Sequence, residues 1–255
     1  MLISAVILTH NNESSIQKTL ESVSWSDEII CIDDFSTDDT VQIAKKQKAR
    51  VFQRHLNDDF AGQRNFGMEK AHGDWIIFVD SDEIVSTALQ KEIRETISRQ
   101  GTDKKGSEGW YLKREDIFLG KKLKHGETAC IKLLRLAKRN AGKWIRPIHE
   151  YWDVKGKTET LNNPLVHNAH PNVAQFIDDI NRYTTINAQY LHKNHERSDV
   201  FSIIAYPKVK FFQNYIVRLG FLDGTTGFVM AVMMSFHSFL TRAKLYLLTH
   251  AHNTH

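Results

Sequence analysis

Asp80-Ser81-Asp82-Glu83 follows directly on the apolar run Trp75-Ile76-Ile77-Phe78-Val79, and this is where the residue types of the chain first admit chemistry. A buried strand that ends in acidic residues offers carboxylates at the edge of a sheet, where the ligand crevice of an open α/β sheet lies. Asp80 and Asp82, one residue apart, can hold a hard divalent cation together with substrate phosphates. Such a cation neutralises charge on a departing diphosphate. Taken alone, the tetrapeptide fits a strand running into an acidic, solvated turn equally well. The surrounding pattern decides between the two.

That pattern alternates strand and helix. Ile3–Leu8 is an apolar, β-branched run, after which Ile16, Leu20 and Val23 recur at helical spacing. Ile29–Ile32 is a second strand ending in Asp33-Asp34. Ser36 with Asp39 three residues on resembles a capping box, predicting a helix through Val41 and Ala44. Arg50–Gln53 is a short strand, Ala61–Ala71 a helix, Trp75–Val79 a strand, and Ala88, Leu89, Ile93 and Ile97 mark a further helix. A βαβα rhythm of this kind predicts a parallel sheet covered on both faces. Gly101–Gly109 reads as a loop; Gly109–Leu119 and Ala129–Leu136 read as strands separated by the Gly- and Lys-rich turn Gly120–Gly126. From Pro171 the character changes. Val173, Phe176, Ile177, Ile180, Tyr183 and Ile186 space as an amphipathic helix, and Val200–Leu248 is apolar, aromatic and basic. The expected division is an α/β domain over 1–165 and a helical extension over 166–255.

A chain of 255 residues can bury a full core. Two cysteines, Cys31 and Cys130, make neither a disulfide framework nor a zinc cluster and fit a reducing compartment. The N-terminus reads as a first strand, without a basic leader or a small-residue cleavage site, so a cytoplasmic location is expected. The net charge of +4 permits an anionic partner without identifying it. Gly224–Thr241 is an uncharged stretch at the lower length for a membrane span, flanked by Lys208, Lys210, Arg218, Arg242 and Lys244. An interfacial helix on an anionic membrane is the preferred expectation, ahead of a helix packed on the enzyme core and well ahead of a span. His167, His170, His192 and His195 come nearest to a histidine cluster, but no Cys or carboxylate set completes a tetrahedral site, and no metal is assigned to them.

Val6–Glu13 (VILTHNNE), Ile32–Thr40 (IDDFSTDDT), Gly62–Glu83 (GQRNFGMEKAHGDWIIFVDSDE) and Arg146–Trp152 (RPIHEYW) together resemble the family 2 glycosyltransferases. The order and spacing of these motifs, more than any one of them, carry the resemblance over roughly the first 150 residues. It implies an α/β GT-A fold (Rossmann-like, a mostly parallel sheet with flanking helices), a nucleotide-sugar donor, an inverting mechanism and Mg²⁺ or Mn²⁺. Leu222–Leu248 is similar to the C-terminal piece of lipopolysaccharide-core β-1,4-glucosyltransferases, which put glucose on an inner-core heptose.

The resemblance also implies roles by position. Thr9, Asn11 and Glu13 follow the first strand, where a hydroxyl, an amide and a carboxylate suit ribose or uracil; Asn11 or Asn12 could equally cap the next helix. Asp33 or Asp34 accepts from the uracil imide N–H. Arg64 is expected near the base and diphosphate, where a guanidinium suits paired phosphate oxygens. Asp80 and Asp82 correspond to the metal-binding pair, Asp82 as the direct ligand and Asp80 nearer the ribose; Glu83 orients the site or caps the following helix. In a single displacement the acceptor hydroxyl loses its proton as it attacks, and Glu150 is the candidate base, with His149 as its competitor or as a partner for the diphosphate. Lys113, Arg114, Lys121, Lys122, Lys124, Lys132 and Arg135 could meet an acidic acceptor or simply form a solvated face.

The expected function is therefore hexose transfer, glucose foremost, from a UDP-sugar to the lipopolysaccharide inner core, on the inner face of the cytoplasmic membrane and with no nucleic-acid partner. A transferase for another surface polysaccharide or a protein acceptor, and a non-catalytic scaffold that binds a nucleotide sugar, are the alternatives. A nucleotidyltransferase would need a glycine-rich basic loop after the first strand, and Thr9–Ser15 has none.

Overall fold

A computed structural model of the chain describes residues 1–100, 106–168 and 172–250, so residues 101–105 of the loop expected over Gly101–Gly109, and His170 and Pro171, lie outside the described residues. Two compact units result: Met1–Glu115 with Ile131–His167, and Asp116–Cys130 with the chain from Asn168 onward.

The first unit is built on four parallel strands, β1 (Ile3–Thr9), β2 (Glu28–Asp33), β3 (Arg50–Gln53) and β4 (Trp75–Asp80), in the order β3-β2-β1-β4. Between them run the helices α1 (Ile16–Ser22), α2 (Thr40–Lys46) and α3 (Phe60–Lys70). After β4 come β5 (Glu83–Val85), α4 (Thr87–Gln100), β6 (Gly109–Phe118, whose end from Asp116 belongs to the second unit), β7 (Lys121–Lys122, in the second unit), β8 (Lys132–Lys138), the hairpin of β9 (Gly142–Ile145) and β10 (Tyr151–Val154), β11 (Thr158–Thr160) and β12 (Leu165–His167). Beyond β4 the sheet turns mostly antiparallel: β8 pairs with β4 and with β6, and β12 pairs with β5, while β11 joins β6 in parallel.

The apolar runs become strands because both faces of the parallel sheet are covered. Successive side chains alternate, so Ile3, Ala5 and Ile7 pack with Leu20, Leu89 and Ile93 on one face. Val6, Ile30, Ile32 and Phe78 pack with Trp144 and Trp152 on the other. Gly67 lets α3 approach that second face closely: a Cβ there would lie 2.5 Å from Val6 Cγ1. The register carries a functional consequence. Thr9 stands opposite Asp33, and Leu8 opposite Asp80, so the acids ending β2 and β4 flank the end of β1.

Two local expectations fail: the strand expected from Ala129 begins only at Lys132, after a 3-10 turn over Thr128–Cys130, and the capping box does not form. The helix after β2 starts at Thr40 and not at Ser36. The Ser36 hydroxyl donates to the Asp33 carboxylate instead of capping a helix, and the Thr40 N–H is taken by Asp38 at 3.0 Å. Ser and Asp compete for backbone and side-chain donors in loops as readily as at caps.

The second unit contains α5 (Val173–Lys193), α6 (Val200–Phe212), a π-helical segment Gln213–Val217, a 3-10 turn Gly220–Asp223 and α7 (Gly224–His250). Asn172 caps α5 by accepting from Gln175 N, and Asp199 caps α6 by accepting from Ser202 N. Leu219, in the left-handed region at φ 59°, turns the chain between the π segment and the 3-10 turn. The core joins Phe118 and Leu123 to Phe176, Ile180, Met230 and Met233. Asp223 accepts from the backbone N–H groups of Lys124 and His125, and Lys210 pairs with Glu127 at 2.8 Å.

Candidate functional site

The site lies in the first unit, at the C-terminal ends of β1, β2 and β4. At the end of β1, the Asn12 side-chain oxygen accepts from Thr9 Oγ1 at 3.1 Å, His10 N at 3.0 Å and Ser81 Oγ at 2.7 Å. One amide thus ties the first strand to the acidic turn after β4. Asn11 has a left-handed backbone, at φ 52°, and its side-chain oxygen accepts from Thr37 N at 2.8 Å. Glu13 accepts from Asp39 N at 3.2 Å. These residues brace the β1 and β2 loops against each other.

The two aspartates that end β2 separate. Asp33 is fully buried and takes donors from Ser36 and from Gln53 Nε2 at 3.1 Å. Asp34 keeps partial exposure; one of its oxygens accepts from Leu56 N at 3.0 Å. Beside it the exposed Phe35 ring stacks on His55 at 4.0 Å between centroids.

Asp80, at the end of β4, sits between two guanidinium groups. One of its oxygens accepts from Arg64 Nη2 at 2.8 Å and the other from Arg135 Nη2 at 2.6 Å. Burial pushes the Asp80 carboxyl up, but Arg135 and Arg64 together outweigh it and hold the group well below the ordinary carboxylate range. Glu83 is fully buried; it accepts from Asp80 N at 2.8 Å and lies 4.0 Å from Arg135. Burial first, and the Asp80 charge second, push Glu83 up.

Arg64 does more than hold Asp80. Its Nε donates to Glu150 Oε1 at 2.9 Å, and its guanidinium lies 4.7 Å from the Trp144 ring centroid. Arg64 is 3% exposed, with Nη1 buried and without a partner, so it works beneath the cleft. Its place near the base and diphosphate, expected from sequence, is here one in which two carboxylates already engage the guanidinium. Arg135, counted in sequence among the basic residues of an acceptor face, is likewise buried.

The β9–β10 hairpin presents Glu150. Trp144 and Trp152 stack across it at 5.5 Å and meet Phe78 edge-on. Asn65 of α3 accepts from Trp144 N and donates to Trp144 O, at 2.9 and 2.8 Å. The connecting loop contains Arg146 and His149 at positive φ. His149 is exposed, whereas Glu150 is only 14% exposed along its side chain and engages Arg64 through a single oxygen.

Asp82 is the accessible acid, 39% exposed along its side chain, and its Oδ2 lies 3.3 Å from His167 Nε2. His167 is carried there by β12, whose antiparallel register sets it opposite Glu83. Sequence reasoning had left His167 without a role, because nothing along the chain announces the β5–β12 pairing. No group of three or more His, Cys, Asp or Glu residues gathers among the described residues. Asp82 and His167 nevertheless set an oxygen and a nitrogen side by side; the carboxylate is the hard oxygen donor that Mg²⁺ or Mn²⁺ takes, with water and substrate phosphates as further ligands, while the imidazole nitrogen suits Mg²⁺ less. Asp80, the other residue expected to hold the metal, has both oxygens engaged by arginines.

A mixed sheet of this order, with acids on the strand ends and a carboxylate facing them from a hairpin, defines a GT-A glycosyltransferase architecture. Residues 4–104 match the family model "Glycosyl transferase family 2". The chain is 28% identical over 254 residues to an uncharacterized glycosyltransferase of Rickettsia typhi, covering 95% of this chain and 86% of the relative. It is 25% identical over 252 residues to the lipopolysaccharide core biosynthesis glycosyltransferase LpsC of Rhizobium meliloti, covering 96% and 92%. Among solved structures, Staphylococcus aureus TarS 1-349 in complex with UDP-GlcNAc superposes with a TM-score of 0.51 at 15% identity, over 98% of this chain and 92% of that TarS chain. Glucosyl-3-phosphoglycerate synthase of Mycobacterium tuberculosis, with Mn²⁺, UDP and phosphoglyceric acid, gives 0.50 at 18%, over 78% and 80%.

Proposed function

We propose that the protein is a metal-dependent, inverting hexosyltransferase that moves a sugar, glucose foremost, from a UDP-sugar to a lipid-linked glycan, with the lipopolysaccharide inner core as lead acceptor. The observation that carries this reading is Arg64. It holds Asp80, on the donor side, and Glu150, on the hairpin, at 2.8 and 2.9 Å, so the two halves of a displacement are fixed relative to each other before any substrate arrives. The UDP-bound structural neighbours and LpsC, a lipopolysaccharide core biosynthesis protein, support the donor and acceptor classes.

In this reading Asp34 accepts from the uracil imide, because Asp33 is fully buried and already hydrogen-bonded, and the Phe35–His55 stack offers the base a flat face. Thr9, Asn11 and Glu13 shape the loops around the nucleoside. Asp82 and His167 would hold the Mg²⁺ or Mn²⁺, which when bound supplies positive charge for the leaving diphosphate. Glu150 takes the acceptor proton through the oxygen not engaged by Arg64, and the exposed His149 is the competing base. Each is at hand for a hydroxyl arriving over the hairpin.

Asp82→Asn tests the metal assignment. The variant is expected to lose Mn²⁺-dependent UDP binding in titration calorimetry and to fall below detectable transfer. Wild-type-like binding in that variant would end the assignment. A screen of UDP-sugars against purified truncated-core lipopolysaccharide, with mass spectrometry of the product, tests donor and acceptor together; transfer only to another polysaccharide or to protein would redirect the acceptor reading.

A further inference from the structure

The second unit contains an apolar helix that its own fold covers only in part. α6 reads VFSIIAYPKVKFF, mostly apolar with Lys208 and Lys210, and although it packs along α7 none of its residues is buried. A helix this apolar is normally enclosed on more of its surface, by protein or by lipid. Phe201, Ile204, Lys208 and Phe212, spaced 3, 4 and 4 residues apart, form one exposed stripe, with Phe201 at 76% and Phe212 at 57% exposure. The following turn adds exposed Val217, Leu219, Phe221 and Leu222. Along α7, Phe228, Val232, Phe236 and Phe239 form another exposed stripe, while Met230, Ala231 and Met233 face the core. The two helices are held together where Ser235 donates to Pro207 O at 2.8 Å and Arg242 lies 4.2 Å from the Tyr206 ring centroid. Contiguous exposed apolar surface of this extent marks an interaction site.

Charge identifies the occupant. From Val200 to His250 the chain carries five Lys and Arg residues against Asp223 alone, a net +4. The whole chain also nets +4, with 34 basic and 30 acidic residues, so outside this segment the charges balance and the entire excess sits beside the apolar face. Asp223 itself is spent on His125 and two backbone N–H groups. Two copies of such a face would repel one another, whereas an anionic bilayer answers both the apolar stripes and the charge. Lys208, inside the α6 stripe, has the long stem that lets an ammonium reach headgroups while its methylenes stay in apolar surroundings. A groove of about 300 Å³ beside α6 is lined by Lys210, His237 and Arg242 together with Tyr206, and it suits a headgroup phosphate even with Lys210 paired to Glu127. No single helix among the described residues is long and apolar enough to cross a membrane, and α6 with its π segment passes with α7 only as a pair bent by 69°.

We propose that α6, the turn after it and the outer stripe of α7 are a docking surface for the anionic cytoplasmic leaflet, on which the protein lies in the headgroup region without spanning. The proposal does not depend on the transferase reading, and its test uses no sugar substrate. The full-length protein is floated with vesicles of phosphatidylcholine alone or mixed with phosphatidylglycerol. Flotation with the mixed vesicles only, weakened by added salt, is expected. Phe201→Ser/Phe212→Ser should lower the bound fraction about tenfold or more at an unchanged melting temperature, since both rings are exposed. Phe221→Ser/Leu222→Ser, placed outside α6 and α7, should do the same and guards against a helix defect. Wild-type protein that stays soluble with both vesicles, equal binding to neutral vesicles, variants that bind like wild type, or a dimer in ultracentrifugation that the variants dissolve would each overturn the proposal, the last in favour of a second copy on this face.

Discussion

Glu150→Gln is expected to lower the turnover of sugar transfer by about 10² to 10⁴-fold, the range for removing a positioned general base, while UDP-sugar affinity stays close to wild type. Glutamine keeps the shape of the side chain and can still accept from Arg64 Nε through its amide oxygen, so the 2.9 Å contact that fixes the hairpin survives. What it loses is the capacity to take a proton. The measurement pairs steady-state transfer with calorimetric titration of the donor. Transfer within tenfold of wild type would move the base elsewhere, and His149→Asn, tested alongside, shows whether it moved to the neighbouring imidazole. A joint loss of donor affinity and transfer would mean instead that Glu150 acts through Arg64 on the donor side.

Arg135→Met is expected to be the costliest single change in the first unit. Removing one partner of a buried ion pair typically destabilises by about 3–5 kcal/mol, because the remaining charge is stranded. Asp80 is 32% exposed along its side chain and keeps Arg64, which places the expectation near the bottom of that range, at about 3 kcal/mol. Urea denaturation measures it, and a loss under about 1 kcal/mol, the scale of an exposed pair, would show that Arg64 alone suffices. The effect has a pH signature. The arginines hold the folded-state pKa of Asp80 below its unfolded value. The stability this confers is present above the unfolded pKa, about 3.9, and is lost as pH falls toward the folded one. The gap between wild type and variant should therefore narrow on acidification below about pH 4.

The parallel half of the fold was legible because it rests on patterns local to the chain. The apolar β-branched runs became β1, β2 and β4, and β3 occupies Arg50–Gln53 as read. The acids at the strand ends could be found for the same reason. What was hidden depends on pairings between distant segments. Arg135 reaches Asp80 because β8 lies antiparallel to β4 with Leu136 opposite Ile77, a register no periodicity announces. A signal was available all the same: Leu133-Leu134-Arg135-Leu136-Ala137 sets a lone charge inside an apolar strand, and such a charge needs a buried partner. His167 carried no comparable mark, since its meeting with Asp82 comes through the short β5–β12 pair. Arg64 was legible as a site residue from its motif, but its two carboxylate partners, Asp80 and Glu150, come from distant segments and were not.

The bracing of the β9–β10 hairpin by a single helix also limits how this enzyme can be re-engineered. Asn65 clasps the Trp144 backbone and Arg64 grips Glu150, and both belong to α3. Swapping in the 146–150 loop of a homologue would set a foreign loop against an Arg64 and an Asn65 placed for Glu150 and Trp144. A graft that carries residues 60–70 along with the loop keeps the pair intact, and chimeras should be cut at those two borders.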